Sequence, residues 1–591
     1  MASSTISPTK HKGGSFLIEP TSPEQVFSPE DFTDEHRAIA RTTEEFWTKE
    51  IAPHVDAIQH QEPGVAVSVL RKAGELGLTS VHLPEKYGGM EMDLTSAMLV
   101  AEGISKDGSY SAWHGAQSGI GALPLLLFGT EEQKQRYLPR VANAQLVAAY
   151  ALSEPQAGSD ALAARTRADL SPDGKHYILN GQKMWITNGG SADLYTIFAK
   201  VDGEKFTAFL VERKFPGVAP GAEEKKMGIK GSSTTPIFLD NVAVPVENVL
   251  GEIGRGHIIA FNILNIGRLK LGAFACGGAK EVLRVSLNYA KERKAFGKSI
   301  AEFGMIQHKL AEMAIRIFAT EAATYRVVGL IEGQLEGFSW NQPDAAQTEL
   351  KAIEEFAAEC SYIKIFASEM LDYVTDEAVQ IHGGYGYHQD YIVERAYRDS
   401  RINRIFEGTN EINRLLATGM LLKRAMRGQL PLVAAVTKLQ AEILAGPTMG
   451  SGGASEEARL VENAKKIALL ALGVAYQKFG IALEEQQEVL AAITDMAMNA
   501  FAMESVYLRA QKLAGLHKGE IAADACAVFL REGMEIVESA ARNMLAASSE
   551  GDSLRMHLAV LKRFTKFEPV NAIAARRRIA ERLLAAGRYL V

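Results

Sequence analysis

The hydrophobic pattern changes period twice along the chain, and the resulting order of helices, strands and helices constrains the fold more than any single motif. From about residue 32 to 145, and again from about 256 to 427, apolar residues recur every three or four positions, which is the helix period. Between about 151 and 250 the chain has short runs rich in β-branched and aromatic residues, separated by turn residues. The sequence therefore predicts a mainly α protein with a small β domain in its middle.

Linker composition divides the 591 residues further. The Gly- and Ser-rich stretch from Pro447 to Ser455 is typical of a flexible linker, and the residues after it are again helical in pattern. The sequence has no convincing repeat of fixed period, so a solenoid fold is disfavoured. The predicted divisions are a flexible tail over 1–31, a helical domain over 32–149, a β domain over 150–255, a helical bundle over 256–430, a linker over 431–455 and a helical domain over 456–591.

Charge and cysteine usage disfavour several classes of function. The 64 Lys and Arg residues against 71 Asp and Glu give a net charge of −7, which argues against bulk binding to a nucleic-acid backbone. The three cysteines lie far apart without metal-ligand spacing, so we expect a reducing compartment and no metal site. No stretch is predicted to span a membrane, and the first residues lack the apolar middle of a secretory signal. We predict a cytoplasmic protein, with the mitochondrial matrix or inner membrane as the alternative.

Three stretches combine turn residues with polar or aromatic side chains in a way that suits ligand binding. Tyr150 to Asp160 (YALSEPQAGSD) enters the β part, and Lys183 to Gly189 (KMWITNG) places Trp and Thr on one side of a strand. Gln380 to Tyr387 (QIHGGYGY) leads towards Glu407, which lies between an Ile-Phe pair and a glycine. A carboxylate in an apolar setting has a raised pKa and is a better general base. Taken singly, each stretch also fits an ordinary surface turn, a core tryptophan or a solvated glutamate.

Together, the motifs SEPxAGSD, KMWITNG, QIHGGYGY and RIFEGTNEI closely resemble the acyl-CoA dehydrogenase family over about residues 35 to 425. Glu292 to Lys298 (ERKAFGK) is a further match. Lys225 to Lys230, Ile263 to Arg268 and the helical extension past the linker are similar to the very-long-chain branch. The resemblance implies an N-terminal helical domain, a middle β-barrel-like domain and a C-terminal helical bundle, followed here by an extra C-terminal helical domain.

The same resemblance implies an FAD cofactor, an acyl-CoA substrate and Glu407 as the catalytic base. Gly267 cannot carry the base that the isovaleryl branch places just before Arg268, which leaves Glu407 as the assignment. The implied cofactor-binding residues are Tyr150, Leu152, Ser153, Ser159, Trp185, Ile186, Thr187, Arg293, Phe296, Gln380, Gly383, Gly384, Thr409, Asn410 and Glu411. The implied substrate-binding residues are Ser159, Arg268, Phe406 and Gly408.

The implied reaction is α,β-dehydrogenation of long- and very-long-chain acyl-CoA thioesters to trans-2-enoyl-CoA in fatty acid β-oxidation, with electron-transfer flavoprotein as the electron acceptor. Because the family shares FAD across a subunit interface, we expect a homodimer, which binds no nucleic acid and makes only weak peripheral membrane contact through Leu430 to Leu444. Three alternatives remain open on the same fold: a flavin oxidase, an assembly scaffold, and a DNA-binding protein that uses Arg576 to Arg578.

Overall fold

The first helical part surrounds an apolar core that also receives the edge of the central sheet. The computed structural model describes residues 11–446 and 455–590. Side chains of Thr33, Asp93, Asp107 and Thr130 accept hydrogen bonds from backbone N–H groups of the first turn, which explains where four of these helices begin. The helices are α1 (Asp34–Phe46), α2 (Val55–Gln59), α3 (Val65–Glu75), α4 (Leu94–Ile104), α5 (Gly108–Gly115), α6 (Leu123–Phe128) and α7 (Glu131–Ala142).

The middle part forms one eight-stranded sheet. Its strands are β1 (Ala148–Ala151), β2 (Arg167–Leu170), β3 (His176–Thr187), β4 (Leu194–Val201), β5 (Lys205–Glu212), β6 (Val218–Pro220), β7 (Thr234–Pro245) and β8 (Val249–Leu250). The strand order is β6-β7-β3-β2-β4-β5-β8, with β1 parallel to β4. The pairing of β3 with β7 shifts register between Lys183 and Ile186, which marks a bulge at Trp185. The prediction of a mainly α protein with a small central β part is confirmed.

Three long helices form the centre of the second helical part. They are α8 (Gly256–Glu292), α9 (Gly304–Gln334) and α11 (Ala357–His382), with α10 (Ala345–Glu355), α12 (Ile392–Ser400) and α13 (Asn410–Met426) around them. A two-stranded hairpin, β9 (Lys294–Ala295) and β10 (Lys298–Ser299), follows α8. Since α8 is apolar on most of its sides and largely buried, it packs against both the first helical part and α11.

The C-terminal extension is a helical bundle docked on this core. It contains α14 (Leu432–Ala445), α15 (Glu456–Phe479), α16 (Gln487–Gly515), α17 (Glu520–Ser548), α18 (Gly551–Phe564) and α19 (Ala572–Ala586). The sequence predicts a linker over residues 431–455, but α14 occupies most of this range. The helix is held against the fold because Leu432 and Leu439 bury their side chains. The linker-like residues 447–454 lie outside the described part of the chain.

Buried charges join the extension to the core. Arg509 on α16 contacts Glu321 on α9 at 2.6 Å, and both side chains are almost fully buried. Arg576, in the basic cluster of α19, pairs with Glu312 and Glu532, while Arg578 pairs with Asp524. Two of the three arginines of this cluster therefore bind carboxylates within the chain, which weakens the DNA-binding alternative.

The N-terminal residues that the structure describes are packed, so the prediction of a flexible tail over 1–31 is wrong for residues 11–31. Phe16 is buried edge-on against Phe501, with ring centres 5.0 Å apart. The backbone N–H of Gly14 donates to Glu359 at 2.6 Å. This packing could not be predicted from the sequence, because the apolar residues that anchor the segment are few and do not recur with a helix or strand period. Residues 1–10 lie outside the described part of the chain.

Within residues 11–446 and 455–590, three helices are, by length and composition alone, long and apolar enough to cross a membrane, contrary to the prediction of none. They are Gly256–Glu292, Glu456–Glu485 and Gln487–Gly515. The most apolar windows of the first and third are 72% and 83% buried inside the fold, and that of the second is 44% buried. The apolarity of the first and third thus serves the protein core.

Candidate active site

Glu407 lies on a tight loop just before α13, and its neighbours fix the backbone there. Glu407 has φ +58° and Gly408 has φ +80°, so two successive residues adopt the left-handed conformation. This region is strained for glutamate, and such strain concentrates at functional sites. The amide of Asn413 donates to the carbonyls of Glu407 and Gly408, and Arg268 Nε donates to the Glu407 carbonyl at 3.1 Å. The loop backbone is thus held while the Glu407 side chain is left for another task.

The Glu407 carboxyl group is buried without a protein partner for one of its oxygens. Among the described residues, nothing donates a hydrogen bond to Oε2. Burial raises the pKa of Glu407, and the nearby charges of Arg268 and Lys364 oppose that rise. A buried carboxylate with an unused lone pair is suited to accept a proton.

Gly267 on α8 makes room for this carboxyl group. A Cβ atom at position 267 would lie 2.9 Å from Glu407 Oε2 and 3.1 Å from its Cδ. Ordinary contacts between such atoms are about 3.5 Å or longer. The absence of a side chain at Gly267 is therefore a requirement for the observed position of the Glu407 carboxylate.

Two cavities meet at Glu407. The larger, of about 1490 Å³, lies between the sheet and the second helical part, and the smaller, of about 170 Å³, lies between the two helical parts. Thr187, Phe406 and Glu407 line both cavities. A molecule that enters from the larger cavity can therefore pass Glu407 and extend into the smaller one.

The larger cavity brings together most of the residues predicted to bind cofactor and substrate. Trp185 has φ +57° at its bulge and is 57% exposed, so its ring offers an uncovered flat face to this space. Such a face, beside backbone and hydroxyl groups, fits a planar heteroaromatic ring. The predicted residues that line it are Tyr150, Leu152, Ser153, Ser159, Trp185, Ile186, Thr187, Arg268, Phe406, Gly408 and Thr409, together with Glu407.

A buried ion pair positions the loop that follows Tyr150. Lys183 Nζ contacts Glu154 Oε1 at 2.7 Å, and both side chains are inaccessible to solvent. Glu154 also accepts hydrogen bonds from the backbone N–H groups of Arg165 and Thr166. The two motifs SEPxAGSD and KMWITNG are therefore joined to each other by their own charged residues.

The remaining predicted cofactor residues lie elsewhere in this single chain. Phe296 is 95% exposed, and the guanidinium of Arg293 lies 5.5 Å from the centre of the Tyr385 ring. Asn410 is buried and accepts a 2.6 Å hydrogen bond from Lys364 Nζ. Residues not lining either cavity are Arg293, Phe296, Gln380, Gly383, Gly384, Asn410 and Glu411.

Lys364 is a site residue that the sequence analysis missed. It lies on α11, and burial lowers its pKa to about 7 while the charge of Glu407 raises it. Its charge in turn lowers the pKa of Glu407. The only signal in the sequence is a lysine inside the apolar run Tyr-Ile-Lys-Ile-Phe, which by itself does not reveal a neighbour 43 residues further along the chain.

The smaller cavity follows one side of α8. Gly267, Leu271, Phe274, Gly278 and Val282 line it at intervals of three or four residues, so they form a single stripe on the helix. From 267 to 282 this stripe is about 22 Å long at 1.5 Å per residue. The other walls include small residues, such as Gly115, Ala116 and Gly119, and also charged side chains such as Arg395. A long, thin, apolar group fits along the stripe.

Comparisons with protein-family models cover most of the chain. Models described as the N-terminal, middle and C-terminal domains of acyl-CoA dehydrogenase match residues 33–145, 149–242 and 254–421. A second model of an acyl-CoA dehydrogenase C-terminal domain matches residues 463–563 in the extension.

Individual relatives agree with the family models. A probable acyl-CoA dehydrogenase of Bacillus subtilis is 49% identical over 585 residues, which is 98% of each chain. The rat mitochondrial very long-chain specific acyl-CoA dehydrogenase is 43% identical over 361 residues, 59% of this chain and about half the length of that relative. The crystal structure of an acyl-CoA dehydrogenase complexed with FAD from Bacillus anthracis has a TM-score of 0.96 and 48% identity, and the match covers 98% of this chain and 100% of the other.

Proposed function

The chain belongs to the acyl-CoA dehydrogenase family, and on that premise we propose that Glu407 removes the α-proton of a long-chain acyl-CoA thioester bound across the two cavities. The observation that carries this proposal is the Glu407 carboxyl group itself. It is buried, it has an unpartnered oxygen among the described residues, and it lies where the two cavities meet.

The loop that holds Glu407 can also stabilise the charge that develops on the substrate. An α C–H bond is a weak acid, so the thioester oxygen needs hydrogen-bond donors as the proton leaves. In the part of the chain that the structure describes, the backbone N–H of Glu407 donates to no protein acceptor. We assign this N–H to the thioester oxygen, because it is presented by the same strained loop as the base.

The large cavity fits the cofactor of the family, FAD, on its own features. Trp185, whose ring is exposed, and Thr187, which carries a hydroxyl, both lie at the end of β3 and line the cavity that reaches Glu407. When bound, FAD supplies the acceptor for the hydride that leaves the β-carbon. The residues Tyr150 to Ser159 and Trp185 to Thr187 would hold and orient it.

The experiment that tests the base assignment replaces one carboxylate at a time. Glu407→Gln keeps the size of the side chain but cannot accept the proton, so the purified protein should retain yellow FAD and lose turnover by several orders of magnitude. The matched control is Asp390→Asn, which removes a carboxylate at an exposed position of the same helical part. Flavin bleaching by hexadecanoyl-CoA at near wild-type rate in Glu407→Gln would overturn the assignment.

Long acyl chains are the proposed substrates, and the stripe on α8 supports this. Each buried CH₂ contributes about 0.8 kcal/mol, so kcat/KM should rise about fourfold per carbon until the cavity is full. Gly278 lies 11 residues beyond Gly267, about 16 Å along α8. Gly278→Leu should therefore reduce activity on hexadecanoyl-CoA while sparing octanoyl-CoA. A wild-type maximum at butyryl-CoA would contradict the proposal.

The proposed electron acceptor is electron-transfer flavoprotein, with molecular oxygen as the alternative expected of a flavin oxidase. Mixing the reduced protein with each acceptor in turn distinguishes them. Fast reoxidation by the flavoprotein and slow reoxidation by oxygen supports a dehydrogenase in fatty acid β-oxidation. The reverse result supports the oxidase.

A homodimer is the proposed assembly. Phe296 and Tyr387, which lie in or beside the predicted cofactor motifs, are 95% and 87% exposed in the single chain. Exposed aromatic residues of this kind are typical of an interface. Light scattering should give a mass near twice 64.2 kDa, and a monomer that retains FAD would contradict the proposal.

Weak peripheral membrane contact is also proposed, through the segment Leu430 to Leu444. Its support is that Val433 and Leu444 on α14 are 73% and 83% exposed.

A further inference from the structure

Lys270 is a buried lysine in the wall of the smaller cavity. It lies on α8 three residues after Gly267, and only 8% of it is exposed. It lines both the smaller cavity and an adjoining space of about 20 Å³ near His114. Its Nζ donates two long hydrogen bonds of 3.3 Å, to the carbonyl and the hydroxyl of Ser118. In the part of the chain that the structure describes, the third ammonium donor has no protein acceptor.

No carboxylate of the described residues neutralises the charge of Lys270. Among the described residues, no acidic side chain lies within 4 Å of Lys270 Nζ, whereas the buried Lys183 pairs with Glu154 at 2.7 Å. Lys106, in the wall of the same smaller cavity, pairs with Glu44 at 2.6 Å. Burial alone lowers the pKa of Lys270, to about 8, so the side chain is still mostly charged at neutral pH.

An unpaired buried charge is costly unless it has a ligand to bind. Ser118 belongs to the wide helical turn Ala116–Gly121, whose freed carbonyl explains one hydrogen bond to the lysine. A neutral donor would serve that carbonyl equally well. The charge and the spare donor are the features that a purely structural role leaves unexplained.

Resting on the proposed function, we propose that Lys270 is a specificity-determining residue that binds an oxygen acceptor carried by the acyl chain in its half nearer the thioester. The acceptor is a hydroxyl, a carbonyl or a carboxylate oxygen. The position follows from α8: Lys270 lies about one helical turn, or 5 Å, beyond Gly267, which faces the carboxylate that takes the α-proton. A group several carbons beyond the α-carbon therefore comes within reach of the ammonium.

The test compares Lys270→Met with the wild-type holoenzyme on matched pairs of substrates. One pair is hexadecanoyl-CoA with and without a hydroxyl on carbon six, and the other is hexanoyl-CoA and its dicarboxylic counterpart, hexanedioyl-CoA. Each pair yields a ratio of kcat/KM for the oxygenated over the plain chain. Removal of the charged donor should lower at least one ratio about tenfold or more. Any general effect of the substitution on turnover acts on both members of a pair and cancels in the ratio. The pair that responds identifies the acceptor as a hydroxyl or a carboxylate.

Lys106→Met is the matched control, because that lysine lines the same cavity and is already paired with Glu44. Its ratios should equal those of the wild type. The proposal is overturned if both ratios in Lys270→Met stay within twofold of the wild type. If the thermal midpoint of unfolding falls while the ratios do not change, the role of Lys270 is structural, and the proposal is again overturned. Wild-type protein that oxidises none of these thioesters refutes the proposed function itself, so the two failures are distinguishable.

Discussion

Replacement of Gly267 by alanine should displace the catalytic base without unfolding the protein. The added Cβ would lie 2.9 Å from Glu407 Oε2, whereas an ordinary contact needs about 3.5 to 4 Å. The carboxylate must therefore move by about 0.6 to 1 Å. A displacement of about 1 Å at a reacting group costs about 100-fold in rate, so we expect flavin reduction to slow about 10- to 100-fold.

The unfolding free energy should rise in Gly267→Ala, although the rate of flavin reduction falls. Alanine is about 0.5 to 1 kcal/mol better than glycine in a helix interior, and the Glu407 side chain can move aside. Rapid anaerobic mixing with hexadecanoyl-CoA measures the rate of flavin reduction, and chemical denaturation measures stability. The control is Gly278→Ala on the same helix, compared with Gly267→Ala on octanoyl-CoA as well, because that shorter chain should end before position 278 and its rate should equal the wild-type rate. A Gly267→Ala rate within twofold of the wild type would refute the steric argument.

Two further predictions concern charge. Because burial raises the pKa of Glu407, kcat/KM for acyl-CoA should fall as pH decreases through that raised pKa, where the base becomes protonated; a profile flat down to pH 4.5 would contradict this. Arg509→Met should lower the unfolding free energy by about 3 to 5 kcal/mol, because it leaves Glu30 without its partner and leaves the buried Glu321 with Lys280 as its one remaining cation among the described residues. The control is Arg555→Met, whose exposed pair with Asp552 should contribute less than about 0.5 kcal/mol; equal effects in denaturant titrations would contradict the prediction.

The order of elements could be predicted because hydrophobic periodicity is local. The change from helix to strand near residue 148 and back near 256 is visible in the alternation of apolar residues, and the confirmed fold class follows from it. Glu407 and Trp185 could be selected because each lies in a motif of distinctive composition. Their left-handed backbone conformation could not, since tertiary contacts such as Arg268 to the Glu407 carbonyl impose it.

Features that depend on distant partners escaped prediction. Lys270 and Lys364 each lie between apolar residues of a long helix, and only the folded chain shows that one lines a cavity and the other lies near a carboxylate. The segment 11–31 has no helix or strand period, so its burial against α11 and α16 left no signature. The basic cluster of α19 could not be assigned from composition, because Glu312 and Glu532, which pair with Arg576, lie 264 and 44 residues away.

The packed N-terminal segment also constrains the order in which the protein can be assembled during synthesis. Glu30 binds Arg509, 479 residues later, and Asp31 binds Lys512. Because synthesis proceeds from the N-terminus, these two ion pairs cannot form until α16 has been made. Gly14 can bind Glu359 on α11 before that, so the segment docks in two stages, first on the second helical part and then on the extension. The N-terminal segment and the extension therefore complete the fold together, and loss of either should loosen the other.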